Sequence, residues 1–192
     1  EMVTTKVKKQ KKEKKMSSFA NIEIPVSESG SLYMSKWEQG ANRIRVLSDV
    51  VQGYKWFPED GTPPKHVKTP SEIDTGVTEP KYFWMIPIAM DGEVKILTFH
   101  QKTIMSMMEE LDKNAEWGDP INYDITITRS GEGKETQYTI MPHPKSDVDS
   151  AVIEKWQTLK TRYKPELLFT TGTPLEPAEE KAQDSKKDDL PF

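Results

Sequence analysis

Aromatic and basic side chains alternate in two stretches of this sequence, YKWFPEDGTPPKHVK at 54–68 and KYFW at 81–84. Single-stranded nucleic acid is held by cations that follow the phosphate backbone and by aromatic rings on which unpaired bases stack, at about 1–3 kcal/mol per base. The residue types of the two stretches match both requirements. The candidate DNA-binding residues that they contain are Tyr54, Lys55, Trp56, Phe57, Lys65, His66, Lys68, Tyr82 and Trp84.

Some of these aromatic side chains must form the core instead. Residues 82–90 are apolar on both faces of a predicted strand, and such a strand buries at least one face. Either the set that contains Tyr82 and Trp84 or the alternate set is therefore core. Tyr54 and Trp56 are the strongest base-stacking candidates, because they border a long loop and share their stretch with a lysine.

Two arginines alternate with apolar residues in NRIRVL at 42–47. This period of two predicts a half-buried strand whose basic side faces solvent. Arg43 and Arg45 are therefore candidates for phosphate contacts, and surface salt bridges explain them equally well.

The sequence carries none of the usual catalytic motifs: it has no P-loop, no GxGxxG, no HExxH and no serine nucleophile elbow. The three histidines, His66, His100 and His143, lie in different predicted elements and have no metal-ligand spacing. Asp147 and Asp149 could hold a metal, but at a predicted helix start they are better explained by the cap and the helix dipole. We therefore predict no catalytic residue, no metal and no cofactor.

Charge is unevenly distributed along the 192 residues. Residues 1–15 carry seven Lys against two Glu, and residues 173–192 carry six acidic side chains against three Lys, so the total of −4 leaves −6 for residues 16–172. An acidic body disfavours general nucleic-acid binding, since phosphate contacts supply most of the non-specific affinity. Any site for a polyanion must therefore be a local basic patch.

Composition also indicates the broad class of protein. The chain is 34% hydrophobic and 30% charged, and no apolar run approaches the roughly 20 residues of a membrane-spanning helix. The absence of cysteine excludes disulfides and thiolate metal sites. We expect a soluble, cytoplasmic protein.

Three regions are predicted along the chain. Residues 1–18 form a basic disordered arm or an upstream extension, since MSSFANIEI from Met16 reads as an ordinary protein start. Residues 19–169 form one folded domain. Residues 170–192 form a disordered acidic tail ending in DDLPF, because almost nothing in them can build a core.

Apolar periodicity predicts a mainly β domain. The predicted elements are a bent strand at 42–57, a Pro-rich loop at 58–80, a hairpin at 81–99, a helix at 101–117, a second hairpin at 121–142 and a helix headed by Ser146. This order is that of a five-stranded OB-fold barrel with one helix between strands 3 and 4 and an additional C-terminal helix. A small α+β sheet with helices on one face is the alternative.

The motifs ANRIRVLS, KYFW, QKTI and WGDPINYDITITRSGEGKETQYTI are spread over about residues 19–168. In these motifs the chain resembles the single-stranded DNA-binding proteins encoded by tailed bacteriophages. The ending DDLPF is similar to the acidic tip of bacterial single-stranded DNA-binding proteins, whose final Pro-Phe docks into pockets on replication and repair enzymes.

The resemblance implies an OB fold and sequence-independent binding of single-stranded DNA, without catalysis, during phage replication, recombination or repair in the bacterial cytoplasm. It also implies recruitment of replication or recombination proteins of phage or host through the tip. That role falls on Asp188, Asp189, Leu190, Pro191 and Phe192. Two other interpretations stay open: a protein-binding adaptor or scaffold built on the barrel, and a metal-dependent nucleic-acid enzyme.

Overall fold

The structure is a computed structural model that describes residues 31–59, 61–73 and 79–177. The predicted arm at 1–18 and the DDLPF tip lie outside these residues. The strands are β1 (Tyr33–Met34), β2 (Gly40–Val46), β3 (Val51–Trp56), β4 (Lys65–Val67), β5 (Lys81–Met90), β6 (Glu93–Phe99), β7 (Tyr123–Ser130) and β8 (Gln137–Lys145). The helices are α1 (Lys102–Lys113), α2 (Ser150–Lys160) and α3 (Leu168–Thr171). None of the helices described is long and apolar enough to cross a membrane.

The eight strands form one mixed sheet that does not close into a barrel. Its path is β1-β6-β5-β2-β7-β8, with β3 paired to β5 and β4, and the pair β1 and β6 is parallel. The predicted mainly β fold is confirmed. The predicted five-stranded barrel with a helix between strands 3 and 4 is wrong, because α1 follows the sixth strand and β1 occupies the outer edge of β6.

The predicted bent strand at 42–57 is a pair of strands that follow one another along β5. Val46 of β2 faces Ile88, and Val51 of β3 faces Met85. Four residues on the β2–β3 side therefore oppose two on β5, and the extra residues break the strand and redirect the chain.

The Pro-rich stretch at 58–80 is more structured than predicted. It contains β4 and a short 3₁₀ helix at Pro70–Glu72. β4 pairs antiparallel with β3, so that Lys65 lies opposite Trp56. This pairing brings the basic residues of the stretch beside the aromatic residues of β3.

β5 separates two hydrophobic clusters, because its side chains alternate between the faces of the sheet. On one face Ile86 and Ile88 belong to a cluster with Ile104 of α1. On the other face Met85 belongs to a cluster with Trp156 of α2. The α+β alternative with its helices on one face is therefore also wrong, since α1 and α2 cover opposite faces.

Both predicted hairpins and both predicted helices are confirmed. Asp91 and Gly92 have φ angles of 53° and 76°, and a two-residue I′ turn requires positive φ at both of these positions. α2 starts later than predicted: its cap is Asp149 rather than Ser146. The Asp149 carboxylate accepts a hydrogen bond from the backbone N–H of Ala151 at 2.8 Å, which confirms the capping interpretation.

Candidate nucleic-acid interface

β3 and the start of β5 bring the two aromatic and basic stretches of the sequence together. Tyr54 lies opposite Tyr82, and Lys55 lies opposite Lys81. Because side chains alternate along a strand, the two tyrosines share one face and the two lysines share the other. The predicted site residues are thus divided between two faces of the same strand pair.

An open groove of about 980 Å³ runs along the tyrosine side, and we call it the tyrosine groove. Tyr54 and Tyr82 line it together with Lys68 and Lys102, and Lys81, the first residue of β5, borders both this groove and the opposite face. The two lysines at 68 and 102 are exposed, so their ammonium groups can approach a ligand in the groove.

Tyr54 and Tyr82 pack against each other, with ring centroids 5.3 Å apart and ring planes tilted by 55°. The Tyr82 hydroxyl donates to Gln52 Oε1 at 2.6 Å and accepts from Trp84 Nε1 at 3.1 Å. Both tyrosines are only half-buried. The rings are therefore held in place while part of their surface faces the groove, which lowers the entropy cost of stacking a base on them.

Trp56 and Trp84 do not lie at the surface of the groove. Their exposed fractions are 7% and 8%. Trp84 belongs to the cluster that packs against α1, and the Nζ of Lys65 lies 5.3 Å from the centre of the Trp56 ring. The structure therefore gives both tryptophans a packing role. The expectation that Trp56 faces a ligand is corrected, because its ring is buried and the Lys65 ammonium lies over it.

Lys55, Phe57 and His66 lie on the opposite face of β3 and β4. The Nζ of Lys55 is 5.3 Å from the centre of the Phe57 ring, which is 48% exposed. His66 packs edge-on against Phe83, with ring centroids 5.4 Å apart. This second face also combines cations with aromatic rings.

Burial, and to a lesser degree the charge of Lys55, lowers the pKa of His66 from 6.5 to about 4. The folded protein therefore keeps His66 neutral at pH values where the unfolded chain already binds a proton. The contribution of His66 to the free energy of unfolding therefore has its full value above pH 6.5, and it decreases as the pH falls from 6.5 towards 4, because only the unfolded chain binds the proton there.

We expect the substitution His66→Gln to remove this part of the acid sensitivity. Between pH 6.5 and 4 the wild type should lose about 1–2 kcal/mol more stability than the variant, less than the full pKa shift implies because the side chain is partly solvated. Urea unfolding at several pH values measures the difference. His100→Gln, at an exposed position, should follow the wild type, and parallel curves for wild type and His66→Gln would contradict the prediction.

Arg43 and Arg45 lie away from the tyrosine groove. Arg45 faces Ala89 on β5, which is eight residues from Lys81, or about 26 Å along the strand. Both arginines bind Asp124 of β7: the Nε of Arg43 donates to Oδ2 at 2.9 Å, and the Nε of Arg45 donates to Oδ1 at 2.6 Å. Arg43 thus forms the surface salt bridge that the sequence offered as one interpretation, whereas the salt bridge of Arg45 is buried.

Arg45 does not face solvent as the strand pattern predicted. It is 5% exposed, and its two terminal nitrogens donate to the carbonyl oxygen and the hydroxyl of Ser146 at 2.9 and 2.8 Å. The segment between β8 and α2 thus covers this side of β2. The Arg45 guanidinium is therefore hydrogen-bonded to Asp124 through its Nε and to Ser146 through its terminal nitrogens.

Five basic residues that line the two faces were not among the predicted site residues. Lys102 lines the tyrosine groove, Lys36 and Arg129 line the opposite face, and Lys81 and His100 line both. Lys36 stands between Tyr33 and Trp37, Lys81 precedes Tyr82 and His100 follows Phe99, so the pattern that identified the other candidates was present there and could have found them. Lys102 and Arg129 have no adjacent aromatic residue, and only the fold places them at the tyrosine groove and at the opposite face.

The two faces are basic although the body of the chain is acidic. Glu79 is the one carboxylate among the described residues that line them. The cations that line them are Lys36, Lys55, Lys68, Lys81, Lys102 and Arg129. A cleft lined by charges of one sign attracts a polyanion. These cations form a local basic patch, which a polyanion site on this acidic chain would need.

Within the described ranges, no group of three or more His, Cys, Asp or Glu side chains is placed to hold a metal ion. Comparison of the chain with protein-family models, with curated proteins and with solved structures finds no match.

Proposed function

We propose that the protein binds single-stranded DNA with little sequence preference, through bases stacked on Tyr54 and Tyr82 and phosphates paired with the lysines of the tyrosine groove. One observation carries the proposal: a pre-oriented, half-exposed tyrosine pair lies in an open groove that is lined by Lys68, Lys81 and Lys102. Stacking accepts every base, because every base has a π-face.

The groove favours a single strand over a duplex. Stacking on the two tyrosines needs an unpaired base, whereas the bases of a duplex are already stacked on one another. Duplex readers place a helix or a β-ribbon in the major groove, but the tyrosines lie within paired strands of a sheet. Adjacent strands with a neighbouring loop are also the binding elements of OB folds, and the proposal does not require a closed barrel.

The lysines set the expected response to salt. Each phosphate neutralised on a single strand contributes about −0.7 to the slope of log K against log salt concentration. If Lys68, Lys81 and Lys102 each meet one phosphate, the tyrosine groove contributes a slope of about −2.

The proposal extends to phage DNA replication, recombination or repair in a bacterial cytoplasm, with the tip Asp188–Phe192 recruiting partner proteins. The resemblance of the motifs at 19–168 to phage proteins supports the setting, and the DDLPF motif supports the recruiting role; the tip lies outside the described residues. Deleting the tip should spare or raise the affinity for DNA and abolish capture of replication or repair enzymes. A marked loss of DNA affinity in the deletion variant would contradict this assignment.

The test is a titration of labelled oligo-dT, and of duplex of equal length, at two salt concentrations, followed by fluorescence anisotropy. We expect binding of the single strand, weakened by salt, and much weaker binding of the duplex. Absence of salt-sensitive binding to the single strand would refute the proposal and leave a protein-binding adaptor as the better interpretation. Cleavage of the strand on addition of magnesium would instead indicate an enzyme.

A further inference from the structure

A second cleft lies on the face of β3 and β5 opposite to the tyrosine groove, and we call it the far cleft. Its volume is about 800 Å³. Lys36, Lys55, Lys81 and Arg129 line it, and no carboxylate is among its lining residues in the part of the chain that the structure describes. Its charge therefore complements a polyanion at least as well as that of the tyrosine groove.

The far cleft and the tyrosine groove share two lining residues, at the start of β5 and after the end of β6. Lys81, the first residue of β5, and His100, which follows β6, line both of them. A chain of phosphates that leaves the tyrosine groove past Lys81 can therefore pass into the far cleft; Glu79, two residues before Lys81, is the one carboxylate among the lining residues described.

The far cleft also offers aromatic surface. Tyr33 of β1 lines it and is 48% exposed, and its hydroxyl is hydrogen-bonded to Thr173 Oγ1 at 3.0 Å. Tyr138 of β8 lines it and is half-buried. Aromatic rings beside lysines are the same combination that supports the tyrosine groove.

Three residues lining the far cleft carry buried polar atoms that have no hydrogen-bond partner. They are the Nε1 of Trp37, which is 2% exposed, the Nε of Arg129 and the Nδ1 of His66. Unsatisfied buried donors are costly. The oxygens of a nucleotide are acceptors that match the Trp37 and Arg129 donors, and contact requires a shift of the atoms that cover them.

We propose that the far cleft is a second nucleotide subsite, so that one DNA strand runs from the tyrosine groove, past Lys81 and His100, into the cleft between Lys36 and Lys55. The inference rests on the proposed function and extends it. It predicts that long strands use both faces of the sheet, while short strands fill the tyrosine groove alone.

The experiment compares dT oligomers of about 4 and about 16 nucleotides, the limits of known site sizes for small single-strand binders. Lys36→Gln should weaken binding of the longer oligomer about fivefold and reduce the steepness of its salt slope by about 0.7. It should leave binding of the shorter oligomer unchanged. Lys145→Gln is the matched control, because Lys145 lies seven residues from Tyr138 along β8, about 23 Å away, and should change neither.

The outcomes separate this inference from the proposed function. If wild type binds both oligomers and Tyr54→Ala weakens both, but Lys36→Gln behaves like Lys145→Gln, the far cleft is not a subsite and the tyrosine groove stands. An equal effect of Lys36→Gln on both lengths also overturns the inference, since it removes the distinction between the two subsites. If wild type binds neither oligomer, the proposed function fails, and the far cleft fails with it.

Discussion

Replacing Tyr54 with alanine should weaken the binding of single-stranded DNA by about 1–3 kcal/mol, or about 5- to 150-fold, in a chain that stays folded. The ring is half-buried and packs on Tyr82 at the surface of the tyrosine groove, so its removal takes away a stacking surface without opening the core. Anisotropy titration with oligo-dT measures the affinity, and urea unfolding confirms the fold.

Two variants make this test specific. Tyr54→Phe keeps the ring and should keep most of the affinity. Trp56→Ala, two residues along the same strand, should instead cost about 3–5 kcal/mol of stability, because that ring is 7% exposed. Unchanged DNA affinity in a folded Tyr54→Ala variant would remove the tyrosine pair from the interface.

The hairpins and helices could be predicted because local sequence determines them. Asp91 and Gly92 accept positive φ, and the apolar period of the strands and helices follows from their own geometry. Barrel closure could not be predicted in this way, since it depends on which strand takes the outer edge of β6. The structure gives that edge to Tyr33 and Met34 of β1, a strand of two residues that no periodicity indicates.

The site was predictable in composition but not in arrangement. Alternation separates the two sides of a strand, but it does not say what covers each side. Tyr54 and Trp56 project from the same face of β3. Lys65 of β4 lies over the Trp56 ring, whereas Tyr54 lines the tyrosine groove. Arg45 is buried for a similar reason, because Ser146 from a distant segment accepts its hydrogen bonds.

Removing the carboxylate of Asp124 should destabilise the protein by about 3 kcal/mol. The Nε of Arg45 donates a hydrogen bond to Asp124 Oδ1 at 2.6 Å, and the side chain of Arg45 is only 6% exposed. Asp124→Ala would leave that guanidinium buried without its counter-charge, and a buried uncompensated charge is costly. The value lies at the low end of the range for buried pairs, because the Asp124 side chain is 24% exposed.

Arg43→Ala is the matched control, because Arg43 binds the same carboxylate from a side chain that is 61% exposed. An exposed ion pair is worth about 1 kcal/mol or less, so this variant should unfold close to the wild type in urea. Both variants should bind single-stranded DNA as the wild type does wherever they are folded, since the pair lies about 26 Å along β5 from Lys81. A loss of DNA affinity in folded Arg43→Ala would show that Arg43 contacts DNA. Equal losses of stability in the two variants would show that the burial of Arg45 does not determine the loss in Asp124→Ala.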